Sequence, residues 1–529
     1  MNGRGLYLRP NIMLEPLVDG WYAWAHLISP ATAAMNICGR HAKIMESYVK
    51  APHVHAAAVA NPDMLGGPFI DYGGERADEI ESLMRKTLSD RGHMVELNQA
   101  LKDLDDMLRS EATGQSLEPL YEMVPELLRG LVELVYDLNN NPGFRLIEPL
   151  IYSRFYDSSA ESIVLSSITG DDRPFILSTP RLESGEGVHL PLPFASQAID
   201  ELFRAKHTSV SFESIKQSLC LPDAMDQQFR GLLTEDRPEP YRPYKGPGVR
   251  WRYFGHACIL VETESTRILL DPVLSYTYVS DISRFTYEDL PDEIDYVLIT
   301  HNHQDHISIE TLLQIRHKTK HVVVPRNGSG AVQDPSLRLV LEHLGFDNVI
   351  ELDEMQEIKT DTGRIVGLPF FGEHGDLNIR TKMAWWVEVD GHRLLFAADS
   401  CNVAPEAYYR VQEVIGDAEV LFLGMECDGA PVTWIYGPLF TRIPDRKQDL
   451  SRRLAGSNYQ RGIGIVDAFN CKEVYVYAMG QEPWLNYITS KKYTSESRPI
   501  VDSTRLVEDC QARGLVSERL FGEKEILLA

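Results

Sequence analysis

The stretch Tyr296-Val-Leu-Ile-Thr-His-Asn-His-Gln-Asp-His306, continued by Ile307-Ser-Ile-Glu-Thr-Leu-Leu-Gln-Ile-Arg316, restricts this chain more than any other. Tyr296-Val-Leu-Ile is short, apolar and partly β-branched, so it predicts a buried strand. Three histidines and an aspartate follow in the order H-x-H-x-D-H. Apolar residues then recur at helical spacing (Ile309, Leu312, Leu313, Ile315), with Ser308 placed as an N-cap. The ligand-type groups therefore sit between the C-terminal end of a strand and a helix. An α/β fold gathers side chains around one point at such a place.

His301 and His303 are spaced to point the same way from extended backbone, as two nitrogen ligands to one metal. Asp305 and His306 fall where the chain turns and reach a second position. Two metals in one cleft is the simplest reading. The plain alternative, a histidine-rich surface turn, does not account for so compact an order on a strand–turn–helix frame.

At 529 residues the chain exceeds one ordinary core, and two domains are expected. A formal charge of -25 argues against nucleic acid and against anionic membranes as partners. The cysteines (Cys38, Cys220, Cys258, Cys401, Cys427, Cys471, Cys510) are scattered and never in C-x-x-C spacing, which points to reduced thiols and the cytoplasm. The N-terminus lacks a signal-like apolar region, and no segment has the length and composition of a membrane span, so a soluble protein is expected.

Residues 1–235 read as one mixed α/β unit. Gly20–His26 is aromatic-rich, and Ile44–Val49 belongs to an amphipathic helix. A long helical pattern runs from Arg76 to Arg109, broken near Asp90-Arg-Gly92, and another helix is expected over Leu117–Leu138, stopped by Asn139-Asn-Asn-Pro-Gly143. A strand is expected over Gly187–Leu190 and short helices around Ala195–Ala205. His53 and His55 have ligand-like spacing, but with no supporting group nearby an ordinary turn is the better reading. The role expected for this half is dimer contact, partner docking or a wall of the substrate channel. Residues 236–248 hold four prolines and two glycines and form the linker.

From residue 249 to 529 strands and helices alternate, which favours stacked sheets with outer helices. Strands are expected at Trp251–Val261, Arg267–Pro272, Lys320–Val324, Ile365–Phe371, Met383–Val389, Arg393–Asp399, Glu419–Gly424 and Glu473–Ala478. Three strand ends bring further acids or imidazoles to the cleft. Gly372-Glu-His-Gly-Asp376 offers either Glu373 or His374, since neighbouring side chains diverge. Asp399 ends an apolar strand, where a buried carboxylate needs cations beside it and a bridging position supplies them; a helix N-cap is the alternative. Glu426 is either a group close behind the ligands or a surface carboxylate. For His256 and Asp271 a hydrogen-bonded structural role is expected. Trp385-Trp386 and Trp434-Ile-Tyr436 read equally as an aryl pocket or as core.

The ordered set Gly-His-Ala, Leu-Leu-Asp-Pro, H-x-H-x-D-H, Gly-Glu-His-Gly-Asp and Ala-Ala-Asp resembles the metallo-β-lactamase fold over roughly residues 249–529. The resemblance implies an αββα sandwich with a dinuclear site between the sheets. Zinc hydrolases of this fold take a further late histidine, but the last histidine here is His392. Leu298–His306, Trp434-Ile-Tyr-Gly-Pro438, Val476-Tyr-Ala-Met-Gly480 and Glu15-Pro-Leu-Val-Asp-Gly-Trp-Tyr22 are similar, nearly along the whole chain, to the diiron β-hydroxylases of the chloramphenicol-pathway type.

That second resemblance implies a non-haem diiron monooxygenase of nonribosomal peptide and antibiotic biosynthesis. Its substrate is an aminoacyl group on the phosphopantetheine arm of a carrier (thiolation) domain, hydroxylated at the β-carbon. By position, His301, His303 and Glu373 hold one iron, Asp305 and His306 the other, and Asp399 bridges them. Carboxylate oxygens suit iron better than zinc. Dioxygen is the co-substrate and electrons come from an external reductase; Glu426 acts on the cluster from behind the ligands. A homodimer is expected, and Thr441–Arg453, with Arg452 and Arg453, is a candidate docking face for an acidic carrier, a solvated helix face being the plain alternative. The competing functions are a dinuclear zinc hydrolase of a thioester, lactone or phosphoester, in which His374 replaces Glu373, and a non-catalytic carrier-docking protein.

Overall fold

The computed structural model describes residues 5–183, 185 and 187–529. Two seven-stranded sheets dominate it. The first runs in the order Val349–Leu352, Thr319–Pro325, Ile294–Leu298, Arg267–Leu270, Ile259–Glu262, Val249–Tyr253, Lys524–Leu528. Its first four strands are parallel and the remaining pairings antiparallel. The C-terminal strand thus closes against the strand that follows the proline-rich stretch. The second sheet runs Glu357–Thr360, Gly363–Leu368, Ala384–Val389, His392–Phe396, Val420–Gly424, Glu473–Tyr477, Val516–Arg519.

Strand alternation sends one set of apolar side chains between the sheets. Trp251, Val261, Leu270, Leu298, Trp385, Phe396, Phe422 and Tyr475 fill that space and are buried. The opposite faces are covered by helices. Pro405–Ile415, Tyr459–Phe469 and Arg498–Ala512 lie on the second sheet through Tyr408, Val411, Ile465, Phe469 and Leu506. Ile309–Ile315 and Leu337–His343 lie on the first sheet, and the core there continues into the N-terminal residues Leu14, Trp21, Ile163 and Phe203. The result is the expected αββα sandwich, with an N-terminal layer packed on its first sheet.

That layer is a four-stranded sheet (Trp21–Tyr22, Ile12–Val18, Glu161–Ser167, Val188–Leu190) with surrounding helices. The helices Ala77–Asp90 and Gly92–Glu111 break where the sequence predicts, and Ala42–Lys50 buries Ile44, Met45 and Tyr48. The helix expected over Leu117–Leu138 is not formed. Short 3-10 turns occupy Glu118–Met123 and Glu126–Leu128, followed by a hairpin of Val132–Tyr136 with Pro142–Leu146. Pro119 and Pro125 lack backbone donors and Gly130 takes φ +76°, which an apolar count alone overlooks. His53 and His55 stand on a helix, Pro52–Val59, rather than in a turn. His55 is fixed by the Ile70 N–H, which donates to its Nδ1 at 2.9 Å. Residues 236–248 contain neither helix nor strand.

Candidate metal centre

The strand Ile294–Leu298 ends beside the second sheet, tied to it by the Trp385 indole N–H donating to the Ile299 carbonyl at 3.0 Å. The chain then turns, and Ser308 caps the helix Ile309–Ile315 by accepting from the Thr311 N–H. His301, His303 and His306 are buried in this turn, with the His301 and His306 rings 4.0 Å apart.

Three neighbouring groups of ligand atoms result: His301, His303 and Glu373; His301, His306 and Asp399; and His256, Asp305 and His306. Asp399 lies 3.2 Å from His306 Nε2 and 3.9 Å from His301 Nε2, facing one histidine of each set expected from the sequence. Glu373 Oε1 is 3.1 Å from His303 Nδ1, and Asp305 Oδ2 is 3.4 Å from His256 Nε2. His256 is the member sequence reasoning left outside the ligand set. Its signal was the Gly-His-Ala turn after a strand, and its Nδ1 accepts from the Gly480 N–H. His374 joins none of these groups; its Nδ1 is 2.8 Å from the Tyr436 hydroxyl, which also faces His303 Nε2 at 3.1 Å.

Several of these residues hold left-handed backbone: His256 (φ +51°), Asp271 (φ +38°), Glu373 (φ +70°) and Ala398 (φ +45°), beside Asp399. Such conformations persist only where the surroundings enforce them, and they concentrate at ligand-holding sites. Two glycines make room. A Cβ on Gly372 would stand 2.6 Å from Cys401 Cβ, and one on Gly424 would stand 2.4 Å from Asp399 Oδ1.

Behind the turn, buried Asp271 accepts from the Thr300 N–H and hydroxyl at 2.7 and 2.6 Å and meets His306 Nδ1 at 2.8 Å. A carboxylate on Nδ1 fixes the tautomer and leaves Nε2 as the ligand atom. The electrostatics follow from burial. It pushes His301 well below its usual range, with the neighbouring histidines adding to the effect. For His306 burial is outweighed by Asp399 and Asp271, which hold it well above that range. Burial would raise Asp305, yet the His256 hydrogen bond and the His306 charge pull it far below the carboxylate range.

His301 Nε2, His306 Nε2, Glu373 Oε2 and Asp399 Oδ1 are buried without hydrogen-bond partners. Convergent, unpaired buried atoms of this kind are costly unless cations pair with them. The mixed nitrogen and oxygen donors fit two first-row metal ions, with more carboxylate than a zinc site favours.

The cleft over these atoms is walled by Gln304, Glu426, Trp434, Ile435, Leu454, Met479, Ile488, Thr489 and Lys491. Through Lys491 it adjoins a hollow bordered by Gly66, Phe69, Phe175 and Lys492, so N-terminal residues form part of the approach. Trp434 is a wall residue, whereas Trp385 and Trp386 are fully buried sheet residues outside the lining of this cleft. Arg452 and Arg453 are partly buried beside the cleft. They donate to the carbonyls of Gly375 and of Asp428 and Gly429, holding the loops around the cleft.

Fold and site define a metallo-β-lactamase-fold protein with a carboxylate-rich dinuclear centre. The comparisons narrow this. Residues 7–238 match the diiron non-heme beta-hydroxylase N-terminal domain, and residues 266–429 the beta-lactamase superfamily domain. The 4-amino-L-phenylalanyl-[CmlP-peptidyl-carrier-protein] 3-hydroxylase of Streptomyces venezuelae is 40% identical over 531 aligned positions, covering 98% of this chain and 99% of the relative. The crystal structure of CmlA, a diiron beta-hydroxylase from that organism, superposes with a TM-score of 0.93 at 39% identity, over 99% of this chain and 100% of that one. A CmlA variant with glutamate changed to aspartate gives 0.90, at the same identity and coverage. The chain belongs to the non-haem diiron β-hydroxylase family.

Proposed function

We propose that this enzyme is an O2-dependent diiron monooxygenase that hydroxylates the β-carbon of an aminoacyl group tethered to a nonribosomal peptide synthetase carrier protein. The observation that carries the reading is the set of buried nitrogen and oxygen atoms without hydrogen-bond partners on His301, His306, Glu373 and Asp399, the two carboxylates lining one cleft. His301, His303 and Glu373 would hold one iron, Asp305 and His306 the other with His256 beside them, and Asp399 would serve both. Glu373 and Glu426 are the carboxylates that tune the centre.

When bound, the two irons supply the redox chemistry that reduces dioxygen. The balance is one C–H bond, one O2, two electrons and two protons in, and one C–OH and one water out, with the electrons from an external reductase. The chain's own residues hold and shield the reaction. Asp271 keeps His306 Nε2 directed at the centre, the Tyr436 hydroxyl positions His303, and Trp434, Ile435 and Ile488 exclude water around the acyl group. In this reading residues 1–235 serve dimerisation and carrier docking, 236–248 link, and 249–529 carry the chemistry. The described cysteines are all unpaired thiols, which fits a reducing compartment such as the cytoplasm.

The test is metal content and optical absorption of protein made in iron-supplied cells. About two irons per chain, with absorption bleached by anaerobic reduction, is the expected result. Two zincs and no redox response would overturn it in favour of a hydrolase.

A further inference from the structure

The cleft contains one carboxylate that belongs to none of the three ligand groups. Glu426 is 8% exposed and stands two residues past the strand Val420–Gly424, whose last residue abuts Asp399. Its Oε2 accepts from the Gly429 N–H at 2.7 Å and meets Lys491 Nζ at 2.7 Å. A buried carboxylate requires a cation, and here the cation is a lysine whose side chain is 31% exposed and lines both the cleft and the adjoining hollow. A flexible ammonium near water is a partner that another ammonium can replace at modest cost.

An aminoacyl thioester brings such an ammonium. Its carboxyl is engaged in the thioester, so the α-amine is its one invariant charge, one carbon from the β-position. A second group in the same wall fits the rest of that unit. Gln304 is 4% exposed, and neither its carboxamide nitrogen nor its oxygen has a hydrogen-bond partner. A carboxamide N–H left unpaired beside the cleft is suited to a thioester carbonyl. Beyond these two residues the wall is apolar through Trp434, Ile435, Leu454 and Ile488, which suits a side chain rather than a charge.

We propose that Glu426 is the receptor for the α-ammonium of the aminoacyl group, with Lys491 as the cation it displaces and Gln304 as donor to the thioester carbonyl. The proposal rests on the hydroxylase reading above. Glu426 is then a specificity-determining residue, and the free amine is required. The enzyme acts on the aminoacyl carrier before any condensation reaction acylates that nitrogen.

The experiment uses the iron-loaded full-length chain and a carrier domain charged with a panel of aryl and aliphatic aminoacyl groups. The best-accepted group is compared with its deamino and N-acetyl counterparts. Wild type is expected to lose on the order of 100-fold in kcat/KM on either change, as sites that pair a buried polar group do. Glu426→Gln is expected to keep about two irons yet bring the amino-to-deamino ratio close to unity. Lys491→Met is expected to keep the ratio and lower KM for the aminoacyl carrier alone, and it carries the test if Glu426→Gln loses iron. A Glu426→Gln ratio equal to wild type, or a Lys491→Met enzyme with raised KM, would overturn the proposal while leaving the hydroxylase reading intact. Wild type that hydroxylates no panel member would overturn both.

Discussion

Arg173, from the N-terminal half, places its guanidinium 2.7 Å from Glu310, one residue into the helix that follows the metal turn. The same guanidinium lies 3.0 Å from Glu15, which Arg181 also pairs with at 3.0 Å. The Tyr22 and Tyr276 hydroxyls donate to the remaining Glu310 lone pairs at 2.8 and 2.6 Å. The first helix residues after H-x-H-x-D-H are thus anchored to the N-terminal layer by a buried ionic network. This relationship explains why the two halves form one working unit.

Removing the guanidinium leaves the buried Glu310 carboxylate without a cation and Glu15 with Arg181 alone. Arg173→Met is therefore expected to destabilise the protein by about 3–5 kcal/mol, read as a fall in the denaturant midpoint. Replacing Glu310 alone by Gln, which keeps hydrogen bonds to the tyrosines, is expected to cost less. Equal losses in the two variants would contradict the network's role.

The same network sets an acid limit. Burial would raise the Glu15 carboxyl, but Arg181 and Arg173 outweigh it and hold it at about 2, against an ordinary value of 4.5. A depressed folded-state value contributes stability above the unfolded value, lost as pH falls from about 4.5 towards 2. The contribution is on the order of 3 kcal/mol. Denaturation of wild type and Glu15→Gln across pH 2–6 checks it: the stability difference is expected to shrink at the acid end, and a constant difference would count against the assignment.

Much of this was legible in the chain because the evidence was local. Strand, turn ligands and helix occupy consecutive residues; Ser308 stands just before an apolar run, and Glu373 and Asp399 close behind one. What stayed hidden depends on partners far away in sequence. Nothing near Glu310 announces Arg173, and nothing near Glu426 announces Lys491. His256 read as a structural residue because Asp305, its partner, lies beyond three strands. The helix expected over Leu117–Leu138 fails for a different reason: Pro119, Pro125 and Gly130 interrupt the apolar spacing, and their backbone chemistry disfavours a continuous helix.

Asp271 reaches the centre through His306. Asp271→Asn keeps the shape but exchanges an acceptor for an amide, so metal affinity is expected to fall about 10–100-fold at the Asp305–His306 position. Iron titration should show one tight and one weakened site. Two unaltered sites would mean Asp271 serves folding only.

Gly424 is held to glycine by Asp399. Gly424→Ala places a methyl 2.4 Å from Asp399 Oδ1, within a fully buried strand. The carboxylate must move, and iron content is expected to drop below two per chain with the fold retained. Wild-type iron content in the variant would contradict that geometry.

The most direct measurement of the central claim is mass spectrometry of an aminoacyl carrier domain after reaction with the reduced, iron-loaded enzyme under isotopically heavy dioxygen. The account predicts that the acyl group stays on the carrier and gains one heavy oxygen atom at its β-carbon, with none taken from water. Release of the acyl group from the arm with oxygen taken from water, or no change under dioxygen in protein holding two irons, would contradict it.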